Sequence, residues 1–306
     1  MTIIEDVRQH TAQWPGVVLT IGSFDGIHLG HQRILNRVIE KARARNGTAA
    51  VLTMQPHPRE FFTPNQAPNL LTTPAKKQEL FEAHGMDAVF ILPFNTETAE
   101  LSREAFVEEI VLGRCRAEAL VVGHDFCFGR GAEGDYEFLR EAGAQHGFEA
   151  EQTPPLLIGG ERVSSTLIRE RILLGDLGQA ARLLGRRYSV QGEVTPGRGI
   201  GSTIGFPTAN IRPLHSAVPA QGVYTAEAIL NGTAHMAAVN IGIAPTIRHE
   251  DVTVEAHILD FDANIHGEPI EVVFHERIRP ERKFPSREAL IEQIGRDVET
   301  VRAYFG

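Results

Sequence analysis

Apolar runs and amphipathic stretches alternate along the first part of the chain. Residues Val17 to Ile21 form an apolar run, and after a short turn apolar residues recur at helical spacing from Ile34 to Ala42. Three further apolar runs lie at residues 49–53, 88–92 and 119–122. Strands that alternate with helices predict a doubly wound parallel sheet with helices on both faces. Ligands of such sheets bind at the carboxyl ends of the strands.

Caps and breakers predict where the helices between these strands begin and end. Thr73 and Pro74 have the character of an N-cap followed by a first helical residue, and that helix is predicted to end near Gly85. Ser102 is predicted to cap a further helix, which runs through Phe106, Ile110 and Leu112 and stops at Gly113.

The pattern changes after residue 185, where short strands follow one another closely. They are predicted at residues 188–194, 222–230, 234–241, 252–259 and 270–274. Asn231-Gly232 between two of them is a strong hairpin signal, and Ser286 precedes an amphipathic helix. The second part is therefore predicted to be a small antiparallel β-barrel with a closing helix. The predicted domains are residues 1–185 and 186–306.

Composition narrows the functional classes. The chain has 306 residues and a net charge of -9, which argues against a general nucleic-acid binder. Two cysteines, Cys115 and Cys127, provide no disulfide framework and fit a reducing cytoplasm. Neither a signal peptide nor an apolar run of the length of a membrane helix is present. We therefore expect a cytoplasmic protein without a membrane or nucleic-acid partner. Weak self-association stays open.

The turn after the first long apolar run is rich in glycine and histidine. Gly22, Gly26 and Gly30 allow a backbone to approach a ligand closely, and the following helix start favours anions. His28 and His31 are three residues apart and can donate to phosphate oxygens from one side. Two surface histidines in an ordinary turn are the alternative. The position after a buried strand favours the phosphate site.

Three later segments also follow predicted strands or open a helix. His57 stands between two prolines beside Arg59, a natural phosphate partner, although a satisfied loop histidine is equally compatible. The segment 123–129 carries aromatic residues, for which two interpretations stay open. They flank the planar ring of a ligand, or they pack in the core. Residues 164–166 are hydroxyl side chains at a helix start, and Arg169 lies one turn on. A plain N-cap needs only one hydroxyl, so the extra ones favour a second phosphate contact.

In the second part, the turn that contains Thr208 and Asn210 is the main chemical candidate. These two neutral oxygen ligands suit Mg²⁺ that bridges nucleotide phosphates. The upstream glycine-rich run 197–201 can surround phosphates with backbone N–H groups. Taken alone, such a segment is usually just a turn.

The ordered set of motifs resembles the bacterial bifunctional riboflavin kinase/FAD synthetase family over nearly the whole chain. The segment His28-Leu29-Gly30-His31 is similar to the His-x-Gly-His signature of nucleotidyltransferases. The resemblance implies an ATP site for adenylyl transfer at Gly22, Phe24, Asp25, Gly26, His28, Gly30, His31, His57, Ser165, Thr166 and Arg169. It implies that Asp125, Phe126 and Phe128 lie towards the flavin, and that His28 and His31 are catalytic. Cys127 stands where many relatives have arginine.

The same resemblance implies a riboflavin kinase in the second part. Its ATP site would comprise Gly197, Arg198, Gly201, Thr208 and Asn210, with Thr208 and Asn210 as the ligands of Mg²⁺. Glu255 would be the catalytic base, whereas without the resemblance it is best interpreted as a solvent-facing carboxylate on a strand. Ser202 replaces a basic residue that is common in relatives.

The predicted function is therefore a two-step synthesis of flavin cofactors. ATP phosphorylates riboflavin to FMN, and a second ATP adenylylates FMN to FAD with release of pyrophosphate. One alternative is a decayed kinase half that only holds flavin, and intact Thr208, Asn210 and Glu255 weigh against it. Another is a flavin-binding regulator or storage protein, which would bind flavin without turning over ATP.

Overall fold

The computed structural model describes residues 1–64, 68–197, 199–214, 217–245 and 250–306. It divides into two compact units. The first unit comprises Met1–Pro68 and Pro74–Ser164, and the second comprises Asn69–Thr73 and Ser165–Gly306. The functional division at residue 185 stays a prediction.

The first unit is built from strands and helices in alternation. Its strands are β1 (Thr2–Ile4), β2 (Val17–Ile21), β3 (Ala49–Gln55), β4 (Ala88–Pro93), β5 (Ala117–Gly123), β6 (Glu149–Thr153), β7 (Leu157–Ile158) and β8 (Glu161–Arg162). Its α-helices are α1 (Leu29–Ala44), α2 (Pro58–Phe62), α3 (Pro74–Ala83), α4 (Thr96–Ala99), α5 (Arg103–Ala105) and α6 (Tyr136–His146). Short 3₁₀ helices span Val7–Gln9 and Arg130–Ala132.

A six-stranded parallel sheet forms the centre of this unit, in the order β1-β4-β3-β2-β5-β6. Alternate side chains of β2 enter two different cores. Leu19 belongs to the same buried cluster as Leu139 of α6, whereas Val18 belongs to the cluster that contains Leu35 of α1 and Phe81 of α3. Helices therefore cover both faces, which confirms the doubly wound sheet. The strand order reverses beside β2, so its carboxyl end is where a ligand is expected.

A helix follows Ser102 as predicted, but only its first residues are α-helical. Ser102 caps it as predicted, because its Oγ accepts a hydrogen bond of 3.1 Å from the N–H of Ala105. From Phe106 to Arg114 the chain instead adopts a π-helix. The wider turn buries the side chains of Phe106, Val107, Ile110 and Val111 against the sheet. Burial of these four apolar side chains offsets the free-energy cost of a π-helix relative to an α-helix.

The second unit begins with two helices and continues as a barrel. Its helices are α7 (Ser165–Leu173), α8 (Leu177–Leu184), α9 (Ile200–Thr203) and α10 (Arg287–Phe305). Its strands are β9 (Ser189–Thr195), β10 (Ala209–Pro213), β11 (Gly222–Leu230), β12 (Thr233–Pro245), β13 (Glu250–Ile258) and β14 (Pro269–Arg279). The strands pair antiparallel in a closed barrel of order β10-β13-β12-β11-β14-β9.

Local signals in this unit have the structural outcomes that the sequence predicts. Asn231 and Gly232 both have positive φ, 48° and 78°, as a type I′ hairpin turn requires. Ser286 caps α10 by accepting from the N–H of Ala289 at 3.2 Å. Val298 and Val301 on the inner face of α10 pack against the barrel. The antiparallel barrel and its closing helix are confirmed.

Candidate active sites

The loop that joins β2 to α1 has an unusual backbone. Phe24, Gly26 and Ile27 have φ values of 50°, 82° and 37°, in the left-handed region that costs free energy for residues with a Cβ. Phe24 and Ile27 are buried, at 3% and 0% exposure, and their apolar packing offsets that cost. Asp25 lies between them and is also buried. The strained loop is therefore held in place by the core beneath it.

The two histidines of this loop stack face to face. Their ring centroids are 3.7 Å apart, and the Nδ1 of His28 accepts a hydrogen bond of 3.2 Å from the backbone N–H of His31. His28 is thereby the N-cap of α1. A Cβ on Gly30 would lie 3.1 Å from the ring of His28, so a glycine at this position leaves room for the ring. The structure brings His28, Gly30 and His31 together, as the sequence predicts.

This hydrogen bond determines where His28 carries its proton. Because Nδ1 accepts, the proton of the neutral ring is on Nε2, which can donate to a ligand. Burial, and to a smaller extent the electrostatic influence of His28 and Lys77, lower the pKa of His31 well below its usual value. The Nδ1 of His31 is buried, and no hydrogen-bond partner for it occurs in the described part of the chain. At neutral pH His31 is therefore an uncharged donor.

The loop after β3 and the helix α3 bring two more nitrogen groups to this loop. His57 caps α2 through its Nδ1, which accepts from the N–H of Arg59 at 3.1 Å. Burial lowers the pKa of His57, and the charges of Asp25 and Lys77 act on it in opposite directions. Lys77 on α3 donates to the carbonyl oxygen of Ser23 at 3.1 Å. Sequence reasoning did not identify Lys77, because it belongs to no motif.

The loop after β5 carries the three predicted flavin contacts, and they differ in their exposure to solvent. Asp125 is exposed and accepts a hydrogen bond of 2.6 Å from Arg162. Phe126 is partly buried and stacks on Phe128 at 5.3 Å. Phe128 is 7% exposed and packs on Phe106 in the core, as the core-packing interpretation of this segment requires. The flavin contacts of these three residues stay predictions.

The hydroxyl-rich segment opens a helix, since α7 begins at Ser165. Ser165, Thr166 and Arg169 belong to the second unit. Arg169 donates from Nε to the carbonyl oxygen of Asn69 at 2.8 Å in the same unit. Their contribution to ATP binding stays a prediction.

In the barrel, strand register gathers the predicted kinase residues. Glu255 on β13 lies directly opposite Asn210 on β10 and Asn240 on β12. Directly paired residues point to the same side of a sheet. The neighbours of Glu255 along the strand, Val254 and Ala256, are buried inside the barrel. Asn210, Glu255 and Asn240 therefore form a row of polar side chains on the outer face, which we call the outer polar row.

Two glycines lie against the predicted metal ligands. A Cβ on Gly197 would overlap the side chain of Asn210, at 1.9 Å from its Nδ2 and 3.2 Å from its Oδ1. A Cβ on Gly201 would lie 2.3 Å from the carbonyl oxygen of Phe206 and 3.1 Å from Oγ1 of Thr208. The glycine-rich segment therefore lies close against the side chains of Asn210 and Thr208. A larger residue at Gly197 or Gly201 would force the segment away from them. Arg198 lies outside the described residues.

His257 contacts the turn that carries Thr208 and holds it in place. The Nδ1 of His257 lies 2.8 Å from the carbonyl oxygen of Pro207, and its ring meets that of Phe206 edge to face at 5.4 Å. His257 lies two residues from Glu255 on the same strand, so both side chains are on the outer face. Sequence reasoning did not assign this role to His257, nor did it place Asn240 beside Glu255.

Comparisons with known proteins decide which family shares this pair of sites. The model of the FAD synthetase family matches residues 10–167, and that of the riboflavin kinase family matches residues 184–305. The bifunctional riboflavin kinase/FMN adenylyltransferase of Escherichia coli K12 is 38% identical over 95% of this chain and 93% of its own. The protein of the same name from Haemophilus influenzae is 38% identical over 100% and 99%.

The chain belongs to the bifunctional riboflavin kinase/FMN adenylyltransferase family. Its N-terminal FAD synthetase domain adenylylates FMN, and its C-terminal domain phosphorylates riboflavin. ATP, riboflavin, FMN and FAD are the substrates and products of this family. The predicted family and enzyme class are therefore confirmed.

A solved structure extends this likeness to the fold of nearly the whole chain. A protein from Streptococcus pneumoniae described as a macrolide-efflux protein is 29% identical, with a TM-score of 0.88 over 98% of both chains. In the part of the present chain that the structure describes, no helix has the length and apolar character needed to cross a bilayer.

Proposed function

We propose that His28 and His31 hold the phosphates of ATP during adenylyl transfer to FMN. Both are neutral donors at the start of α1, where backbone N–H groups and the helix dipole favour an anion. The phosphate of FMN is already anionic at neutral pH, so it attacks the α-phosphorus without a base. The electron pair of the broken P–O bond leaves with pyrophosphate. Donors that keep pyrophosphate in line are what this reaction needs.

The space beside α1 supports a nucleotide at this site. A cleft of about 670 Å³ lies between α1 and the segment that follows β6. It begins at Leu29 and Gln32, next to the histidines, and includes Thr153 and Leu156 on the opposite side. Its size falls within the range of small-molecule sites. We propose that the ATP site extends from the histidines into this cleft, with Gly22, Phe24, Asp25, Gly26, Gly30 and His57 shaping the phosphate end.

For the kinase reaction, we propose that Glu255 accepts the proton of the primary hydroxyl of riboflavin. A neutral hydroxyl is a poor nucleophile until a base takes its proton. The observation that supports this role is the outer polar row, in which Glu255 lies directly opposite Asn210. The hydroxyl oxygen then attacks the γ-phosphorus of ATP, and ADP leaves. Backbone N–H groups near Gly197 and Gly201 would bind the phosphates.

Thr208 and Asn210 would hold Mg²⁺ in this site. The hydroxyl of Thr208 and the side-chain oxygen of Asn210 are hard oxygen donors beside a carboxylate, and such a donor set fits Mg²⁺. When bound, the ion neutralises charge on the ATP phosphates and keeps them oriented. In the described part of the chain no group of three or more histidine, cysteine or carboxylate side chains is placed to hold a metal ion.

We also propose a reducing compartment, the cytoplasm, and neither a nucleic-acid nor a membrane partner for either reaction. Cys115 and Cys127 are both free, and Cys127 is exposed. The net charge of -9 does not favour nucleic acid.

The test is a time course with the purified protein, riboflavin, ATP and Mg²⁺, in which FMN and FAD are separated by chromatography. FMN should appear first and FAD should follow, and added FMN should be converted directly. Tight flavin binding without either product would contradict the proposal and support the storage alternative.

A further inference from the structure

Lys77 enters the adenylyl-transfer site from α3, a helix outside every recognised motif. Its Nζ donates to the carbonyl oxygen of Ser23 at 3.1 Å, within the loop between β2 and α1. One turn later Phe81 is fully buried and packs on the ring of Phe24, with centroids 5.6 Å apart. Residues four apart share a helix face, so the face with Lys77 and Phe81 meets the loop. Lys77 is therefore held beside the loop by the core.

The ammonium group of Lys77 has no ion-pair partner among the residues that the structure describes. Its side chain is partly buried, and across the residues that the structure describes its Nζ has that single hydrogen bond and no carboxylate within ion-pair distance. Lys41 in the same unit is the opposite case, because Glu149 and Glu151 lie 3.2 and 2.8 Å from its Nζ. A desolvated ammonium without an ion pair costs free energy. Two of its three N–H groups are left to meet another acceptor.

The positive charge of Lys77 interacts electrostatically with two histidines of the proposed site. It acts on both His31 and His57, whose pKa values burial lowers first of all. Burial also lowers the pKa of Lys77, while Asp25 and Glu60 oppose that shift. These side chains therefore lie within electrostatic range of one another around the loop. An anion bound there would interact with the lysine and with both neutral histidines.

We infer that Lys77 binds the polyphosphate of ATP in adenylyl transfer, at the pyrophosphate that leaves. This inference rests on the proposed function of the first unit. When the bond between the α-phosphorus and its bridging oxygen breaks, the electron pair passes to that oxygen and negative charge grows on pyrophosphate. His28 and His31 offer hydrogen bonds without full charge, whereas Lys77 supplies a cation. Its contribution is therefore greater in the transition state than in the bound substrate.

Three variants separate this role from a merely structural one. Lys77→Met removes the charge and keeps the length of the side chain. Lys77→Gln also removes the charge but retains an N–H donor for the carbonyl of Ser23, so it decides the question if Lys77→Met does not fold. Lys77→Arg keeps the charge and should recover much of the lost activity. Lys41→Met is the matched control, because it removes an ammonium group that already has carboxylate partners.

The readouts are the forward reaction of ATP with FMN, the reverse reaction of FAD with pyrophosphate, and a thermal melt. We expect kcat/KM for ATP to fall by ~10²–10³ in Lys77→Met and Lys77→Gln. The KM of pyrophosphate in the reverse reaction should rise at least about tenfold, while the KM of FMN changes by less than about twofold. Riboflavin phosphorylation by the same chain should not change, and Lys41→Met should behave as wild type in every reaction.

Calorimetric titration with inorganic pyrophosphate tests the lysine independently of turnover. Weaker binding of pyrophosphate to Lys77→Gln than to wild type supports the inference even if adenylyl transfer itself is absent, an outcome that would overturn only the proposed function. A folded Lys77→Gln variant with unchanged pyrophosphate binding and unchanged ATP kinetics would overturn the inference. An increase confined to the KM of FMN would do the same, because the lysine would then serve the other substrate.

Discussion

The proposed adenylyl-transfer site and the proposed kinase site would bind the same substrate, ATP, with different kinds of atoms. In the first unit four nitrogen groups lie around the loop after β2, on the two stacked histidines, His57 and Lys77, together with the carboxylate of Asp25. On the barrel the outer polar row presents oxygen and amide groups, with Glu255 in the middle. This difference between the two sets of side chains matches the difference between the two nucleophiles. A phosphate of FMN needs no base, whereas the hydroxyl of riboflavin does.

The backbone settings differ in the same way. The first site lies at the carboxyl end of a parallel strand, where a helix start supplies N–H groups for an anion. The second lies on the outer face of an antiparallel barrel, where three adjacent strands supply one side chain each. A helix start provides donors but no base, and a strand row can place a base between two amides. Each fold therefore suits the reaction that it carries.

Removal of divalent metal tests whether both sites need a cation to neutralise the charge of the polyphosphate. Both reactions handle a polyphosphate, so excess chelator should lower both rates by ~10³-fold. Mg²⁺ added back in excess should restore both, as measured by separation of FMN and FAD. Full activity of either site in chelator would contradict the assignment of Thr208 and Asn210 as ligands or the shared need for charge neutralisation.

Loss of the base should break the kinase site alone. Glu255→Gln keeps the shape of the side chain but cannot accept the proton, so the rate of FMN formation should fall by ~10²–10⁴. Added FMN should still be converted to FAD at the wild-type rate. Glu276→Gln, which alters an exposed carboxylate of β14, is the matched control and should retain both activities.

Loss of the histidine donors should break the other site alone. Alanine at both His28 and His31 should lower adenylyl transfer by ~10²–10³ and cause FMN to accumulate, with riboflavin phosphorylation intact. His28→Asn refines this test, since asparagine is a good N-cap and should spare α1 the cost of ~1 kcal/mol expected for alanine. His146→Ala, at an exposed end of α6, serves as control.

These two sets of variants form a double dissociation that a thermal melt must accompany. Distant sites normally behave independently, so neither set should affect the other reaction. If folded protein of either set lost both activities, one shared site would have to replace the two described above.

The smallest expected effect concerns the glycine-rich segment of the barrel. Ser202 is exposed on α9, close in sequence to Gly201 and Thr208. Ser202→Arg should lower the KM for ATP in the kinase step by about threefold to tenfold, because a charged hydrogen bond to phosphate is stronger than one from serine. Ser202→Gln, of similar reach without the charge, should change it little. An unchanged or higher KM in the arginine variant would mean that Arg198 already supplies this phosphate contact or that the loop is wrongly aligned with the phosphates.

Signals that act over a few residues were enough to predict much of this protein. The capping serines at 102 and 286, the Asn231-Gly232 hairpin and the start of α1 all depend on hydrogen bonds or backbone preferences within one turn. The alternation of apolar runs and amphipathic helices predicted a doubly wound sheet for the same reason, since burial follows local periodicity. The family motifs added the chemistry, because their residues are close together in sequence.

Contacts between distant segments decided the rest. The π-helix from Phe106 to Arg114 depends on how its apolar residues meet the sheet, which no capping signal reports. Asn240 lies beside Glu255 only because β12 and β13 pair in one register, and a shift of one residue would turn its side chain to the other face. Lys77 reaches the loop after β2 only because Phe81 packs on Phe24 more than fifty residues away in sequence. Local sequence determined the elements and the motifs, while long-range packing determined which side chains face one another.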